Sequence, residues 1–176
     1  MTGRLLCRHW RKLAERLEAS GGTGAAQLRE GSDAARAMLS ELTAVTAARG
    51  LGGKPAAQGF GAQLAGLRNA LVDPALEVNQ ALRLALLDIE HVATLLAYLE
   101  RLAGQREDEQ LRAFLAGWGE RMRAHEGTIR DIAIGLGDAP AAAIAPCAPG
   151  LAGRVAHGLA TRVGTLGEWF DRRSLR

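Results

Sequence analysis

Residues 74–137, PALEVNQALRLALLDIEHVATLLAYLERLAGQREDEQLRAFLAGWGERMRAHEGTIRDIAIGLG, decide the fold of this chain. Apolar residues recur at steps of three and four on both sides of Gly104, which is the spacing of one face of a helix. The pattern is interrupted at Gly104 and Gln105. The stretch is therefore predicted to form two long helices, residues 74–103 and 107–136, that fold back on each other.

The first of these two helices is apolar on two faces. One predicted stripe consists of Leu82, Leu86, Ile89, Ala93 and Leu96. The second stripe, on the far side and with His91 inside it, consists of Leu84, Leu87, Leu95, Tyr98 and Leu102. A helix with two apolar faces is expected to touch several neighbours. Surplus apolar area on this helix, or on the last one, predicts a homo-oligomer or a protein partner.

The second long helix carries one sustained apolar seam with a histidine in its middle. At steps of three and four the seam contains Leu111, Leu115, Trp118, Met122, His125, Ile129, Ile132 and Leu136. Three acidic residues, 107–109, begin the helix, where the helix dipole favours negative charge. The seam is predicted to pack against the preceding helix.

Residues 3–49 predict another helical hairpin, the first in the chain. One apolar stripe of its first helix consists of Leu6, Trp10, Leu13 and Leu17. Residues 20–22, Ser-Gly-Gly, end that helix, and Thr23 is predicted to cap the next one, which runs as far as Arg49. Gly31 weakens the second helix. A break near Gly31, recapped by Ser32, is therefore the alternative to a continuous helix.

The remaining segments are predicted to cover these two hairpins. Residues 50–73 are rich in glycine at their start and then contain a short apolar helix, so they are predicted to form a crossover. Residues 138–150 contain three prolines among alanines and predict an extended linker with little structure of its own. Residues 151–172 predict a C-terminal amphipathic helix. The expected fold of the single domain, residues 1–176, is all-α: an antiparallel four-helix bundle with a crossover helix and an extra C-terminal helix.

Composition agrees with this class and limits the functions to consider. Hydrophobic residues make up 48% of the 176 residues but aromatic residues only 4%, a balance that favours helices over sheets. The net charge of +3 comes from interspersed acids and bases, so no nucleic-acid partner is expected. Cys7 and Cys147 are too few for a disulfide scaffold, and no apolar run is long enough to span a membrane. A cytoplasmic location is the resulting expectation.

The candidate site consists of Asp88, His91 and His125. Residues three apart share a helix face, so the carboxylate of Asp88 and the imidazole of His91 can converge, and antiparallel pairing brings His125 within about one turn of Asp88. Carboxylate and imidazole groups are ligands for iron, manganese or zinc. In the preferred interpretation these groups bind no metal: Asp88 accepts a hydrogen bond from His91, and His125 packs in its seam.

Two helical hairpins joined by a long crossover, the second hairpin containing EHVATLLAYLERLA (90–103) before an acidic turn, resemble the ferritin-like superfamily over residues 5–137. Within this superfamily the chain resembles the small bacterial stress-associated ferritin-like proteins and the rubrerythrin group. The resemblance implies metal storage or oxidation at a di-iron centre built from glutamates and Glu-x-x-His pairs. This chain contains no Glu-x-x-His, and Asp88-x-x-His91 is a shortened counterpart of one. The expectation is therefore a non-catalytic or metal-degenerate bundle without a cofactor, in a stress-related or protein-interaction role.

The C-terminal helix suggests a different class of function. Residues 151–176 combine a basic face with apolar residues that end in Trp169-Phe170, a composition that can lie on an anionic membrane surface or bind a partner. The alternative is that the helix packs on its own bundle. A thiol mechanism is not expected, because Cys7 and His9 are two residues apart and point to different sides of a helix.

Overall fold

The computed structural model describes residues 2–50 and 76–147, which are helical over most of their length. Within these ranges there is no β-strand, and the all-α class is confirmed. The elements are α1 (Thr2–Ala19), α2 (Ala25–Ala47), α3 (Val78–Gln105), α4 (Glu109–Gly135), a 3-10 turn (Leu136–Asp138) and the short helix α5 (Pro140–Ala143). Residues 51–73 of the predicted crossover and the whole predicted C-terminal helix, 151–172, lie outside the described residues.

Helices α1 and α2 pack against each other along their lengths. Near the start of α1, Gly3 lies against Leu39 of α2, and near its end Glu18 pairs with Arg29. The predicted apolar stripe of α1 is buried, because it faces both α2 and α3: Leu6, Trp10, Leu13 and Leu17.

The turn between α1 and α2 is made by glycine. Gly21 and Gly24 both adopt positive φ, 69° and 90°, a conformation that is costly for residues with a Cβ. Gly24 is the residue that precedes α2, and no side chain caps this helix. The predicted capping role of Thr23 is therefore wrong, because the chain enters α2 through a left-handed glycine instead.

Helix α2 is continuous through Gly31, so the alternative of a break recapped by Ser32 is also wrong. The glycine serves packing: a Cβ at this position would lie 2.2 Å from Cζ3 of Trp10. Next to it, the buried hydroxyl of Ser32 donates a 2.9 Å hydrogen bond to the carbonyl oxygen of Cys7. Residues 31 and 32 therefore bring α1 close to α2.

Helix α3 begins at Val78, four residues later than predicted. Glu77 precedes it, and the Glu77 amide donates to Oε1 of Gln80 at 3.3 Å. The turn into α4 is formed by Arg106 and Glu107. Helix α4 then begins after Asp108, whose carboxylate accepts a 3.0 Å hydrogen bond from the Leu111 amide and so satisfies one of the free N–H groups of the first turn.

The segment after α4 is better ordered than the predicted linker. It contains the 3-10 turn and α5, and its end is tied to the start of α3 by main-chain hydrogen bonds. The Val78 amide donates to Ala145 at 3.0 Å, and the Cys147 amide donates to Leu76 at 2.9 Å. Cys147 is fully buried. Pro140 and Pro146 are therefore compatible with a short helix followed by a segment that binds the start of α3.

Four pairs of long helices are in contact: α1 with α2, α3 with α4, α1 with α3, and α2 with α4. Tryptophan and asparagine side chains link several of these pairs by hydrogen bonds. Trp10 donates to the Ala85 carbonyl at 3.2 Å, and Trp118 donates to Glu41 at 3.0 Å. Each fully buried leucine or isoleucine in the shared core contributes roughly 1.5–3 kcal/mol relative to an exposed one.

Candidate functional site

The buried polar centre of the molecule is a pair between α1 and α3. His9, which is 1% exposed, donates from Nδ1 to Oδ2 of Asp88, whose side chain is 21% exposed. The adjacent Trp10 indole donates to Ala85 one turn earlier on α3. Two successive residues of α1 therefore hold α3 in register by hydrogen bonds, and the carboxylate of Asp88 compensates the burial of an imidazole.

This arrangement gives Asp88 a partner that the sequence interpretation did not assign. The predicted partner was His91, but the imidazole that bonds Asp88 comes from α1, and His91 is exposed. His125 is half-buried on α4. Within residues 2–50 and 76–147, no group of three or more His, Cys, Asp or Glu side chains is arranged to hold a metal ion. The structure therefore does not bring Asp88, His91 and His125 together as a ligand set.

The acidic residues of α1 and α2 do not complete a di-iron centre either. Glu15 and Glu30 are exposed, Glu18 is bonded to Arg29, Asp33 is bonded to Arg11, and Glu41 accepts the Trp118 indole. A carboxylate-rich metal centre needs such groups to project inward from several helices. The residues present in the described part of the chain do not fit that cofactor.

Cys7 lies beside this polar centre but is not arranged as a nucleophile. It is buried on α1, and burial raises the pKa of its thiol, an effect that nearby Arg36 only partly offsets. The thiolate is the reactive form of cysteine. The neighbouring His9 imidazole is bonded at Nδ1 to Asp88.

A second feature is an exposed apolar surface on α3, which we call the outer stripe. Its members follow one another at steps of three or four: Leu84, Leu87, His91, Leu95, Tyr98 and Leu102. Leu87 and Tyr98 are each 59% exposed, Leu95 41% and Leu102 36%. The other apolar stripe of α3 is the one that packs in the core, where Leu82 and Ile89 are fully buried. The sequence predicted both stripes, and the structure buries one of them.

The end of α2 is clamped to the start of α4 by a third feature, the ion pair of Arg49 and Asp108. The guanidinium donates to both carboxylate oxygens, at 2.6 and 2.8 Å. Those bonds, together with the Leu111 amide, lower the pKa of Asp108 to about 2. The sequence interpretation did not identify this pair, although an aspartate directly before a helix is a recognisable capping signal.

Of the open clefts in the described part of the chain, one of about 550 Å³ lies beside Leu84 and Leu87 of the outer stripe, and two others lie at opposite ends of the helices. One, of about 500 Å³, is lined by the turn 20–23, Val78, Ile132 and Leu136. The other, of about 470 Å³, adjoins the Arg49–Asp108 clamp and the end of the outer stripe at Leu102. The described linings of both clefts are mainly apolar.

A signal for the role of His9 was present in the sequence. His9 follows Leu6 by three residues and precedes Leu13 by four, so it lies on the apolar face of α1. A polar residue on a buried face needs a partner. That partner, Asp88, is 79 residues away and could be identified only when the packing of α1 on α3 was known.

No helix in the described part of the chain is long and apolar enough to cross a membrane. The predicted membrane-binding segment, residues 151–176, lies outside the described residues. Comparisons with protein-family models, with curated proteins and with solved structures found no match to this chain.

Proposed function

We propose that this chain is a non-catalytic, metal-degenerate helical bundle of the ferritin-like kind that works by binding another protein surface through the outer stripe of α3. In this proposal α1 to α4 form an antiparallel four-helix bundle, an arrangement supported by the four helix pairs in contact. The observation that carries the function is the exposure of the outer stripe: Leu87 and Tyr98 keep more than half of their surface in solvent.

The physical argument is that, apart from His91, the side chains that follow one another along the outer stripe are apolar. Single exposed hydrophobic residues are ordinary on protein surfaces, whereas a contiguous apolar patch marks a site of association. The outer stripe runs over five helical turns from Leu84 to Leu102 without a charged residue on its line. Covering it would stabilise a complex by about 25 cal/mol for each Å² of apolar surface removed from water.

The chemistry of the polar centre supports a binding role over a metal-dependent one. A metal centre of the ferritin-like kind would use Asp88 and His91 together. The Asp88 carboxylate, however, accepts a hydrogen bond from His9, whereas His91 lies in the outer stripe. Each group thereby has a role without a metal: one orders the core, and the other lies on the surface that we assign to the partner. A stress-related role and a cytoplasmic location stay predictions from the sequence.

The test is to place a photo-crosslinking amino acid at Tyr98 in the full chain and to irradiate the cells that make it. We expect covalent adducts with protein at Tyr98. The matched control places the same group at Glu120, which is exposed on α4. Absence of adducts at Tyr98, or equal adducts at both positions, would overturn the proposed function.

A further inference from the structure

We infer that the protein surface that covers the outer stripe is a second copy of this chain, with the two α3 helices packed antiparallel about a twofold axis at Leu95. This inference rests on the proposed function, because it names the partner of the same surface. It is carried by two properties of α3: residues 87, 91, 98 and 102 of the outer stripe lie at matching distances on either side of Leu95, and the charges of Glu90 and Arg101 are complementary under the same symmetry.

The apolar residues match because of their positions along the helix. Leu87 lies eight residues before Leu95, and Leu102 lies seven residues after it. At about 1.5 Å per residue, a twofold axis at Leu95 brings Leu87 of one copy level with Leu102 of the second copy to within ~1.5 Å. His91 and Tyr98, four before and three after, match in the same way. The layers formed by residues 87, 91, 98 and 102 are thus filled from both copies.

The flanking charges match in the same register. Glu90 lies five residues before Leu95 and Arg101 six residues after it, and both are exposed. At 100° per residue, the eleven steps from Glu90 to Arg101 return to the same side of the helix, so both residues lie along one flank of the stripe. A twofold axis makes that flank of one helix face the same flank of the other. Glu90 of each copy therefore faces Arg101 of the other, and the pair occurs twice.

These observations favour a second copy over an unrelated partner. An unrelated helix would need the same apolar spacing and a base and an acid in the reverse order, whereas α3 itself supplies all of these. Arg130 of α4 interacts electrostatically with Glu90, but its guanidinium is bonded to Glu126. Arg101 of the second copy is therefore a suitable partner for Glu90.

The size of the outer stripe determines how tightly two copies are expected to associate. From Leu84 to Leu102 the stripe is about 27 Å long, so one helix pair gives an interface at the small end of specific protein interfaces. We therefore expect an equilibrium of monomer and dimer that depends on protein concentration. The exposed imidazole of His91 in the middle of the stripe weakens association relative to a leucine, because it loses water when it is covered.

The first experiment measures the dimer dissociation constant of the full chain by sedimentation, for Glu90→Lys, Arg101→Glu and the double variant. Either single change places like charges together twice, and we expect it to weaken the dimer at least about tenfold, or ~1.4 kcal/mol. The double variant restores opposite charges and is expected to return close to the wild-type value. Glu120→Lys, at an exposed position of α4, is the control for net charge and should leave the dimer unchanged.

A second experiment tests the position of the twofold axis at Leu95 directly. At the axis the two copies of residue 95 are adjacent, so Leu95→Cys is expected to form a disulfide-linked dimer under mild oxidation. The control, Leu84→Cys, is expected to give none, because residue 84 lies eleven residues from the axis in each copy. Its two copies are then about 33 Å apart, far beyond disulfide reach.

The outcomes separate this inference from the proposed function. A chain that stays monomeric while Tyr98 gives adducts with other proteins would overturn the second copy as the partner and leave the proposed function standing. A dimer that is indifferent to the charge changes, or is not restored in the double variant, would overturn the twofold register. No adducts and no dimer would overturn both.

Discussion

Gly31 of α2 lies directly against the indole of Trp10 of α1, so close that a Cβ at residue 31 would come within 2.2 Å of Cζ3. The ring cannot move away easily, because Trp10 is fully buried and its Nε1 donates to Ala85 of α3. One residue without a side chain therefore determines how closely three helices approach.

We expect Gly31→Ala to destabilise the protein, although alanine is the better helix former by about 1 kcal/mol. Overpacking of a core costs typically ~1–3 kcal/mol, which exceeds the gain in helix propensity. The control is Gly127→Ala in α4, where an added Cβ meets nothing within 4 Å. That change should stabilise the protein by up to ~1 kcal/mol. Urea denaturation measures the free energy of unfolding of both variants. A Gly31→Ala variant that is more stable than the wild type would contradict the packing argument.

Asp88→Ala is expected to lower the free energy of unfolding by roughly 1.5–3 kcal/mol, because it removes the acceptor of a hydrogen bond from the buried His9. His91→Ala, three residues away on the same helix, removes an exposed side chain and should change stability by less than about 0.5 kcal/mol. Chemical denaturation of the two variants in parallel gives the two free energies of unfolding to be compared. Equal losses for both would show that Asp88 and His91 act together after all.

We expect the metal content of the protein, purified without a tag, to be the same for the wild-type chain and for His91→Ala and His125→Ala. The reason is that the described residues contain no group of three ligands, and Asp88 is bonded to His9. Elemental analysis for iron, manganese and zinc makes the measurement. Stoichiometric metal in the wild type that is lost in the His91→Ala variant would restore the metal-binding alternative.

The clamp between Arg49 and Asp108 predicts a defined pH dependence. The pKa of Asp108 is lowered to about 2, so the bound carboxylate is favoured in the folded state. Its contribution to stability is fully present above the ordinary aspartate pKa of about 3.9 and is lost as the pH falls toward about 2. Asp108→Asn should therefore lower the thermal midpoint at neutral pH, and its difference from the wild type should shrink between about pH 4 and pH 2.

Asp131→Asn is the matched control for the clamp, because it removes an exposed carboxylate from the same helix. It should show little difference from the wild type at neutral pH. A gap between wild type and Asp108→Asn that stays constant from neutral pH to about pH 2 would mean that Asp108 acts through shape and not through charge.

The sequence predicted the four long helices because each has an apolar face at helical spacing, and that face determines where a helix must be covered. Helix ends were less predictable. Thr23 and Gly24 are both acceptable before α2, and the choice of Gly24 depends on a left-handed turn that tight packing of α1 on α2 requires. Likewise Val78, and not residue 74, begins α3, where the returning main chain of residues 145–147 binds.

The candidate site was less predictable than the fold for a related reason. In the sequence, the two stripes of α3 have similar apolar content, and only the positions of α1 and α4 determine that Ile89 is buried and Leu87 exposed. Asp88 lies near the boundary between the stripes, so its carboxylate can accept a hydrogen bond from a residue of α3 or from a residue of another helix. The partner on α1, His9, is distant in the sequence, so helical spacing alone favoured His91.

The main-chain bonds that join Leu76 and Val78 to Ala145 and Cys147 have a mechanical consequence. These bonds close the base of a loop that contains both α3 and α4. The two helices are therefore joined at both ends, by the turn at Arg106 and Glu107 and by these bonds. A force applied between residues 50 and 147 would have to break these main-chain bonds, or move α2 along α4, before α3 and α4 could separate. A pull on the chain at Leu76 or at Cys147 therefore acts on these main-chain bonds before it acts on the rest of α3 and α4.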